Sequence, residues 1–524
     1  MDNENERPIR HVVVVGGGSA GWITAGLIAA GNACRPNSPI KVTLVESPRV
    51  GTIGVGEGTW PTMRTTLHAL GIPESIFLDA CSATFKQGTR FVDWVTGGGA
   101  DDVYYHPFTA PAGDPGTDVA AWWRHERPGL SFTDAVSAQG MVCDRSLGPK
   151  QAQTPEYAGV LNYAYHLDAG KFASLLTDHC TRTLGVQHVL DHITEINSAE
   201  NGDIASLETT SCGAIAGDLF IDCSGMRSML LGEHFGVPFM DKSDILFNDT
   251  ALAVQAPYAD PGAPIESQTI STARSFGWIW DIGLVARRGI GYVYSSRHGN
   301  DDEAAAILED YLRSIGTPSE AIPAPRKISF TPGHRERFWH RNCVAVGMSA
   351  GFIEPLEASA LVMVELSARM ISEELPANRR IMDIVSRRFN QKFRYRWERI
   401  IDFLKLHYVL SRRDDSEYWR DNRSRASAPD HLLDLIELWR YRPPGQSDFP
   451  HLDEIFSAAS HQYVLYGMAP EFAAGRARPS QAQCSKAREL YDSNVRTASQ
   501  CLAKLPPNRT LLQQIARHGL PAAG

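Results

Sequence analysis

The stretch HVVVVGGGSAGWITAGLIAA, residues 11–30, decides the fold. Four consecutive valines, Val12 to Val15, are typical of a central strand in a parallel sheet that is covered on both faces. The small residues that follow predict a tight turn, and the Ala-rich apolar segment after them predicts a helix. In this strand, turn and helix order, the spacing G-x-G-x-x-G indicates dinucleotide binding, with the pyrophosphate at the helix N-terminus. The candidate cofactor-binding residues in this stretch are Gly16, Gly18, Ser19, Ala20 and Gly21.

Glu46 follows the next predicted strand, residues 42–45, and supplies the second part of the dinucleotide signature. A carboxylate at this strand end accepts hydrogen bonds from ribose hydroxyl groups. It comes later than the usual spacing of about 20 residues, and the polar stretch 31–39 explains the delay as a longer loop. Residues 17–21 and 347–351 also spell G-x-S-x-G, the nucleophile elbow of a hydrolase. That alternative stays open, although no convincing Asp/Glu and His partners accompany it.

Length and composition indicate a large globular protein of ordinary character. The chain has 524 residues, 43% hydrophobic and 21% charged, enough for more than one domain or for one domain with a large elaboration. A formal net charge of −9 argues against a nucleic-acid partner, and no apolar run approaches the roughly 18 residues that span a bilayer. The nine cysteines are dispersed without C-x-x-C or zinc spacing, so we expect no metal site and reduced thiols in the cytoplasm.

Three further segments suit a cofactor site. Residues 51–62, GTIGVGEGTWPT, contain four glycines, which predicts a strap close to a ligand, with a surface loop as the alternative. Residues 218–225 predict a strand that runs into a small-residue turn, and residues 342–370 repeat the order of strand, glycine turn and helix. These segments add the candidate cofactor-binding residues Gly56, Asp222, Gly347 and Gly351.

Lys86 is the strongest candidate for catalytic chemistry outside the glycine turns. It stands among small and apolar residues, and desolvation lowers the pKa of a lysine so that it can act as nucleophile or proton donor. A surface lysine is the alternative. Glu357 lies at the start of a predicted helix, where the N–H groups of Ser359 and Ala360 suit a small anion such as a halide. Simple capping by Glu357 is the competing interpretation.

Aromatic clusters provide candidates for contact with a flat substrate. His106 and Phe108 belong to the segment YYHPF, which suits either an aromatic ligand or a core. Trp278 and Trp280 share one face of a predicted strand in an antiparallel region, where they fill a core or wall a cavity. Residues 162–180 predict a helix with a start signal at Asp168, and the chain from residue 379 onward is predicted to be mainly helical.

In this order, the motifs resemble those of the flavin-dependent tryptophan halogenase family over nearly the whole chain. GGGSAG resembles its FAD fingerprint, GVGEGTWPT its GVGEAT-x-PT strap, and TFKQGTRF the segment that carries its catalytic lysine. YYHPF resembles the segment that supplies a His and a Phe to the substrate sandwich. GWIWDIG resembles the signature W-x-W-x-I-P, and GFIEPLEAS the segment with the catalytic glutamate. YAYHLDAGKFASLL, IDCSG, HYVLSRRDDSEYW and VLYGM are also similar to family segments.

The resemblance implies an α/β fold with a Rossmann-like FAD-binding core, an antiparallel substrate-side sheet and a mainly helical C-terminal cap. Residues 1–378 are then the FAD-binding halogenase body, and residues 379–524 the helical substrate-side region. Members of the family use reduced FAD (FADH2) from a separate flavin reductase, dioxygen, and chloride or bromide. A flavin hydroperoxide oxidises the halide to hypohalous acid, which passes through a tunnel to the lysine and then to an electron-rich ring.

The resemblance also assigns roles residue by residue. It implies that Lys86 and Glu357 are catalytic and that Ser359 and Ala360 bind the halide. It implies that His106, Phe108 and Phe456 bind the substrate, and that Trp278 and Trp280 form the tunnel wall.

Departures from the family pattern bear on the substrate. Gly283 replaces the signature proline, and Ala358 replaces the serine after the glutamate. The lid segment LDEIFSAASHQY places Phe456 where the family has a lid tryptophan and offers no matching acid for an amino-acid ammonium group. The sequence therefore favours indole or an indole-containing compound over free tryptophan. An FAD-dependent aromatic monooxygenase and a non-catalytic flavin-binding protein are the alternatives, and the sequence is compatible with a homodimer.

Overall fold

The computed structural model describes residues 6–32, 39–49, 51, 56–99, 101–113, 118–451, 453–474 and 479–522. The predicted strap is therefore described only in part, because residues 52–55 lie outside these ranges.

The strands are numbered in chain order. They are β1 His11–Val15, β2 Lys41–Glu46, β3 Glu57–Gly58, β4 Thr84–Lys86, β5 Gly88–Val92, β6 Val103–Pro107, β7 Ala164–Leu167, β8 Gln187–Leu190, β9 Ile193–Ser198, β10 Ile204–Thr209, β11 Gly213–Ala216, β12 Leu219–Asp222, β13 Phe239–Asp241, β14 Thr250–Pro257, β15 Thr269–Arg274, β16 Gly277–Gly283, β17 Arg287–Tyr294, β18 Arg326–Ser329, β19 Gly333–Arg335, β20 Trp339–His340, β21 Cys343–Ala345 and β22 Gly351–Phe352.

The α-helices are numbered in the same way. They are α1 Ser19–Gly31, α2 Thr62–Leu70, α3 Glu74–Ala80, α4 Val119–Glu126, α5 Phe132–Val136, α6 Gln139–Asp144, α7 Ala169–Arg182, α8 Asp301–Ser314, α9 Ser359–Glu373, α10 Arg379–Val409, α11 Glu417–Arg423, α12 Asp430–Trp439, α13 Ala458–Met468, α14 Glu471–Ala474, α15 Gln481–Lys504 and α16 Asn508–His518.

A six-stranded sheet in the order β20-β21-β12-β1-β2-β8 forms the Rossmann-like core. Its central strand β1 pairs in parallel with β2 and β12, so Val15 lies beside Val45 and Asp222. The four valines of β1 are all buried, as expected for a strand covered on both faces. Helices α1, α7 and α9 pack together beside this sheet. The predicted strand, turn and helix are thus confirmed.

A seven-stranded sheet in the order β18-β14-β17-β16-β15-β5-β6 forms the second layer. All its neighbouring strands are antiparallel except β15 and β5, which confirms the predicted antiparallel sheet. In a small antiparallel sheet, β3-β7-β4, the partly described strap and the strand that carries Lys86 pair with opposite edges of β7. The other two sheets have the orders β11-β10-β9 and β13-β19-β22.

The segment 162–180 differs from its prediction. Residues Ala164–Leu167 form β7 rather than the first turn of a helix, because they pair with both β3 and β4. The helix α7 begins only after Asp168, whose side chain accepts a hydrogen bond from the Lys171 N–H and so serves as the predicted start signal.

From Arg379 onward, all the secondary-structure elements in the described residues are helices. The helix α10 has 31 residues, a length of about 46 Å at 1.5 Å per residue, and its C-terminal half is largely buried. Helix α13 packs on β6 of the seven-stranded sheet, and α16 packs on α3 and on β4 of the small sheet. A boundary between residues 378 and 379 stays a prediction. Among the described helices, none is both long enough and apolar enough to cross a bilayer.

Candidate active site

The turn between β1 and α1 leaves room for the phosphates of a dinucleotide. Gly16 has a φ of 118°, and a methyl group on it would lie 2.2 Å from the Cys223 carbonyl oxygen, so only glycine fits. Among the described residues, no atom lies within 4 Å of a methyl group placed on Gly18, so their arrangement leaves this side of the turn open. The first turn of α1, which contains Ser19 and Ala20, has no side-chain cap and no acidic residue. Open backbone and a free helix N-terminus fit a pyrophosphate.

The carboxyl ends of three neighbouring strands meet beside this turn. The Glu46 carboxylate rests on Gly17 and accepts a hydrogen bond from His188 Nε2 at 2.9 Å, a position suited to a ribose hydroxyl. The fully buried carboxylate of Asp222 accepts the Leu230 and Leu231 N–H groups, each at 2.8 Å. Asp222 therefore shapes the neighbouring loop, and its direct contact with a cofactor stays a prediction.

The second glycine turn packs against the first. Gly347 has a φ of 74°, and a methyl group on it would lie 2.8 Å from the Ala20 Cβ. Gly351 has a different role, because a methyl group there would lie 2.6 Å from the Gly333 carbonyl oxygen of β19. The buried Ser349 hydroxyl donates to two backbone carbonyl groups, a bonding pattern that gives the hydrolase interpretation no support. Gly21 must be glycine, as in the G-x-G-x-x-G pattern, because a methyl group there would lie 1.8 Å from the Gly16 carbonyl oxygen.

Lys86 ends β4 with its side chain buried, 1% exposed. Its ammonium group lies 5.3 Å from the centre of the Phe108 ring, and no described residue accepts a hydrogen bond from it. A methyl group on Gly58 of the strap would lie 3.2 Å from Lys86 Nζ and 3.3 Å from the Ala358 Cβ, so glycine lets the strap pass here. Burial lowers the pKa of Lys86 to about 8, against the opposing effect of Glu357.

The turn before α9 holds Glu357 in an unusual backbone conformation. Glu357 and Ala358 both have positive φ, 62° and 55°, although neither is glycine. Such a conformation costs on the order of 1–3 kcal/mol per residue and persists where surrounding contacts impose it. Trp60 of the strap provides one such contact, because its Nε1 donates to the Glu357 carbonyl oxygen at 2.7 Å. The strap and the turn that carries Glu357 are thus joined directly.

The Glu357 carboxylate is buried among nitrogen donors. His106 Nδ1 donates to Oε1 at 2.7 Å, His407 Nε2 lies 3.6 Å from the same oxygen, and the Thr89 hydroxyl lies 3.4 Å from Oε2. Burial alone would raise the pKa of Glu357. The electrostatic effect of His106, which also donates the hydrogen bond, and then those of His407 and Lys86 hold that pKa below its ordinary value. The group is therefore an ionised carboxylate suited to accept a proton.

Aromatic rings wall the space beside these groups. The Trp60 ring lies 5.2 Å from Phe108 and 5.3 Å from Phe456, between ring centres. Phe456 stacks on Phe403 at 3.9 Å and lies 6.5 Å from His106. The structure thus brings together the three residues predicted to contact the substrate.

Trp278 and Trp280 lie side by side on β16, with ring centres 6.3 Å apart. Trp278 is buried and donates from Nε1 to Glu354 Oε2 at 2.6 Å. Gly283, at the position of the signature proline, is held by pairing with Arg288 and by a hydrogen bond from the Thr84 hydroxyl to its carbonyl at 2.6 Å. Strand pairing and this hydrogen bond therefore restrain the backbone at Gly283.

Ser359 and Ala360 form the first turn of α9, whose N-terminal position is Ala358. No side chain caps this helix end within the described structure, so the capping alternative for Glu357 is wrong. The initial N–H groups of a helix have no partners within the helix, and two left-handed residues precede them here. This geometry suits a small anion.

Gly56 is the remaining candidate for cofactor binding. A methyl group placed on it would lie 3.5 Å from the Gly289 Cα.

Several residues of the site escaped the sequence analysis. The strap contributes Gly58 and Trp60, both within a quoted motif, but only the structure shows that they meet Lys86 and Glu357. His407 begins the quoted segment HYVLSRRDDSEYW, and no local signal marks it as a neighbour of Glu357. Thr89 lies within the quoted segment TFKQGTRF, but nothing in the sequence places its hydroxyl beside Glu357, and Phe403 carried no signal.

Comparisons with known proteins agree with this geometry. The family model described as tryptophan halogenase matches residues 11–484. A solved structure of a tryptophan halogenase from Shewanella frigidimarina NCIMB 400 is 46% identical, with a TM-score of 0.95, covering 99% of this chain and all of that one. Tryptophan 7-halogenase KtzQ from Kutzneria sp. (strain 744) is 35% identical over 83% of this chain and 82% of its own length.

Tryptophan 6-halogenase SttH from Streptomyces toxytricini is 33% identical over 91% of this chain and 94% of its own length. Its solved structure has a TM-score of 0.87 at 32% identity, covering 96% of this chain and 100% of that chain. The residues matched by the family model include the turn between β1 and α1 and both Lys86 and Glu357. The chain therefore belongs to the tryptophan halogenase family of flavin-dependent halogenating enzymes.

Proposed function

We propose that this halogenase uses reduced FAD, dioxygen and chloride or bromide to halogenate the ring of indole or an indole-containing compound, with Lys86 presenting the oxidised halogen. The observation that carries the proposal is the buried Lys86 ammonium group, which has no hydrogen-bond acceptor among the described residues and faces a chamber walled by aromatic rings. A buried amine without a bonded partner is free to meet a reactant.

The open turn at Gly16 and Gly18, together with Glu46, would hold the pyrophosphate and ribose of FAD. Reduced FAD bound there supplies, with dioxygen, the oxidising power that converts halide to hypohalous acid. A separate flavin reductase provides the reduced cofactor, and the N–H groups of Ser359 and Ala360 bind the halide. A cytoplasmic location and a homodimer stay predictions from the sequence.

Lys86 and Glu357 then divide the chemistry between them. With a pKa of about 8, Lys86 is present in both protonated and neutral forms near neutral pH, so it can donate a proton to hypohalous acid or carry its halogen. The ring forms a carbon–halogen bond as the halogen–oxygen or halogen–nitrogen bond breaks. The ionised Glu357 carboxylate takes the proton from the same ring carbon, and the ring regains its aromaticity.

The acids near Phe456 support a substrate without an amino-acid head group. Asp453 is paired with Lys392 at 2.8 Å, and Glu454 accepts a hydrogen bond from the Tyr395 hydroxyl at 2.6 Å. Both carboxylates already have partners within the protein, so neither is dedicated to a substrate ammonium group. A charged ammonium that loses its water without gaining a partner binds poorly.

The test is a mass-spectrometric assay of the full chain with FAD, a flavin reductase, NADH, dioxygen and bromide, with indole and tryptophan in separate reactions. We expect a bromine isotope doublet on indole, formed about 10-fold or more faster than on tryptophan, which corresponds to about 1.4 kcal/mol. A matched reaction without the halogenase measures bromination by freely released oxidant. Faster bromination of tryptophan would contradict the substrate, and an oxygen adduct without bromine would contradict the reaction.

A further inference from the structure

His407 on α10 lies against the proposed catalytic carboxylate without taking part in the steps above. It is fully buried, with Nε2 3.6 Å from Glu357 Oε1 and Nδ1 2.6 Å from the Tyr104 hydroxyl. Within the described chain, no hydrogen-bond partner satisfies its Nε2. The three groups Tyr104, His407 and Glu357 thus form a line from β6 through α10 to the turn before α9.

The charges in this line determine the imidazole tautomer. Burial lowers the pKa of His407 to about 3, against the opposing effect of Glu357, so the ring is neutral and carries one N–H. An ionised carboxylate only accepts hydrogen bonds, so the favourable tautomer places that N–H on Nε2, towards Glu357. The Tyr104 hydroxyl then donates to Nδ1. Burial raises the pKa of Tyr104 well above its ordinary value, so the hydroxyl keeps its proton.

Packing holds the line in place. Phe91 stacks on Tyr104 at 4.6 Å with the ring planes 3° apart, and it also stacks on His407 at 4.7 Å. The other rings that contact His407 include Trp94 and Phe403. His106 lies beside both Trp60 and Phe456, whereas the ring contacts of His407 are with Phe91, Trp94, Tyr104 and Phe403.

We propose that His407 is a positioning residue for Glu357, and that Tyr104 fixes the imidazole tautomer that directs Nε2–H at the carboxylate. The proposal rests on the proposed function, because it concerns the step in which Glu357 removes the ring proton. The proton leaves the ring carbon for a Glu357 oxygen, and the electron pair of the carbon–hydrogen bond restores the aromatic ring. His407 keeps the carboxylate ionised and aimed between turnovers.

The groups that face Glu357 come from four elements. They are Lys86 of β4, the neutral Thr89 hydroxyl of β5, His106 and Tyr104 of β6, and His407 of α10. His106 contributes most to the low pKa of Glu357, and His407 follows it. The neutral His407 ring acts on Glu357 through the dipole of its Nε2–H group, so removing that dipole should raise the pKa of Glu357 without eliminating the base.

Three variants separate positioning from packing. His407→Leu removes the N–H donor, and His407→Gln keeps a side-chain N–H near the position of Nε2. Tyr104→Phe removes only the hydroxyl and leaves the ring that stacks on Phe91. Single-turnover bromination of indole, and of ring-deuterated indole, is measured against pH for each variant and for the unmodified protein.

For His407→Leu we expect the acidic limb of the pH profile to move up by about one pH unit, because a buried carboxylate that loses the dipole of a nearby N–H group has a higher pKa. We also expect a primary deuterium isotope effect to appear, because proton removal becomes slow. His407→Gln should restore the original profile, and Tyr104→Phe should lie between the two. A uniformly slower His407→Leu enzyme with an unchanged pH limb and no isotope effect would overturn the positioning role.

A titration of the Glu357 carboxylate tests the same inference without any turnover. In protein labelled with 13C at glutamate carboxyl carbons, the Glu357 signal is identified by its loss in Glu357→Gln. His407→Leu should raise the pKa of that signal by about one unit, and His407→Gln should not. An unchanged pKa would overturn the inference. Failure to halogenate any indole, with the titration as expected, would instead overturn the proposed substrate or reaction.

Discussion

Two buried lysines lie close to Phe85, and they differ in their hydrogen bonds. Lys150 is fully buried, lies 5.9 Å from the Phe85 ring, and donates to Glu74 Oε2 at 2.7 Å, the Pro155 carbonyl at 3.0 Å and the Tyr163 hydroxyl at 3.2 Å. Lys86 directly follows Phe85 in β4, and none of the described residues accepts a hydrogen bond from it.

Burial lowers the pKa of both lysines, so a lowered pKa does not distinguish them. The difference is in the protons of the ammonium group. All three are used within the protein at Lys150, and the carboxylate partner Glu74 is itself held by two tyrosine hydroxyls, Tyr163 at 2.6 Å and Tyr165 at 2.7 Å. At Lys86 they remain available to a reactant. We infer that Lys150 stabilises the fold and that Lys86 serves the chemistry.

The largest expected effect is on activity at Lys86. Lys86→Met should lower the rate of halogenation by about 10²–10⁴-fold, the usual contribution of a positioned proton donor or base. The measurement is product formation by mass spectrometry, with flavin binding followed by absorbance as the control for an intact cofactor site. Activity within a few fold of the unmodified enzyme would remove the distinction between the two lysines.

The next effect is on stability at Lys150. Lys150→Met leaves the Glu74 carboxylate buried without its cation, and breaking a buried pair in this way costs about 3–5 kcal/mol. Chemical denaturation should show the loss in the free energy of unfolding. The double variant Lys150→Met with Glu74→Gln is the control and should recover part of it, because it also removes the unpaired charge. Equal stability of the single variant and the unmodified protein would show that the pair is not structural.

The fold was largely predictable because its deciding signals are local. The valine strand, the glycine turn and the helix of residues 11–30 stand next to each other in the sequence, and β1 and α1 follow them closely. The strand Ala164–Leu167 was not predicted, because it exists through pairing with two strands that are distant in sequence. A periodic pattern does not contain such partners.

The site was predictable where a residue lies in a recognisable motif, as for Lys86 and Glu357. The support around them was not, because it depends on contacts between distant segments. Trp60 meets the Glu357 carbonyl and His407 approaches its carboxylate only after folding. The left-handed backbone at Glu357 and Ala358 also gave no signal, since neither residue is the glycine that usually marks it.

The smallest expected effect is on stability at Lys86. Replacing Lys86 should stabilise the protein, whereas replacing Lys150 should destabilise it. Below pH 8 Lys86 carries a buried charge from which no described residue accepts a hydrogen bond, and the lowering of its pKa to about 8 corresponds to about 3 kcal/mol of destabilisation. Lys86→Met should therefore raise the free energy of unfolding at pH 7 by about 1–3 kcal/mol.

The pH dependence gives this prediction its check. Between pH 8 and about 10.4 the unfolded chain binds the lysine proton more strongly than the folded chain does, so this group makes the unmodified protein more stable as the pH rises. The advantage of Lys86→Met should then shrink from pH 7 to pH 10, as measured by denaturation at several pH values. Contributions of other titrating groups cancel when the two proteins are compared at each pH. If the difference in the free energy of unfolding stayed constant with pH, the buried charge of Lys86 would not be destabilising. Lys86 would then not differ from Lys150 in this respect.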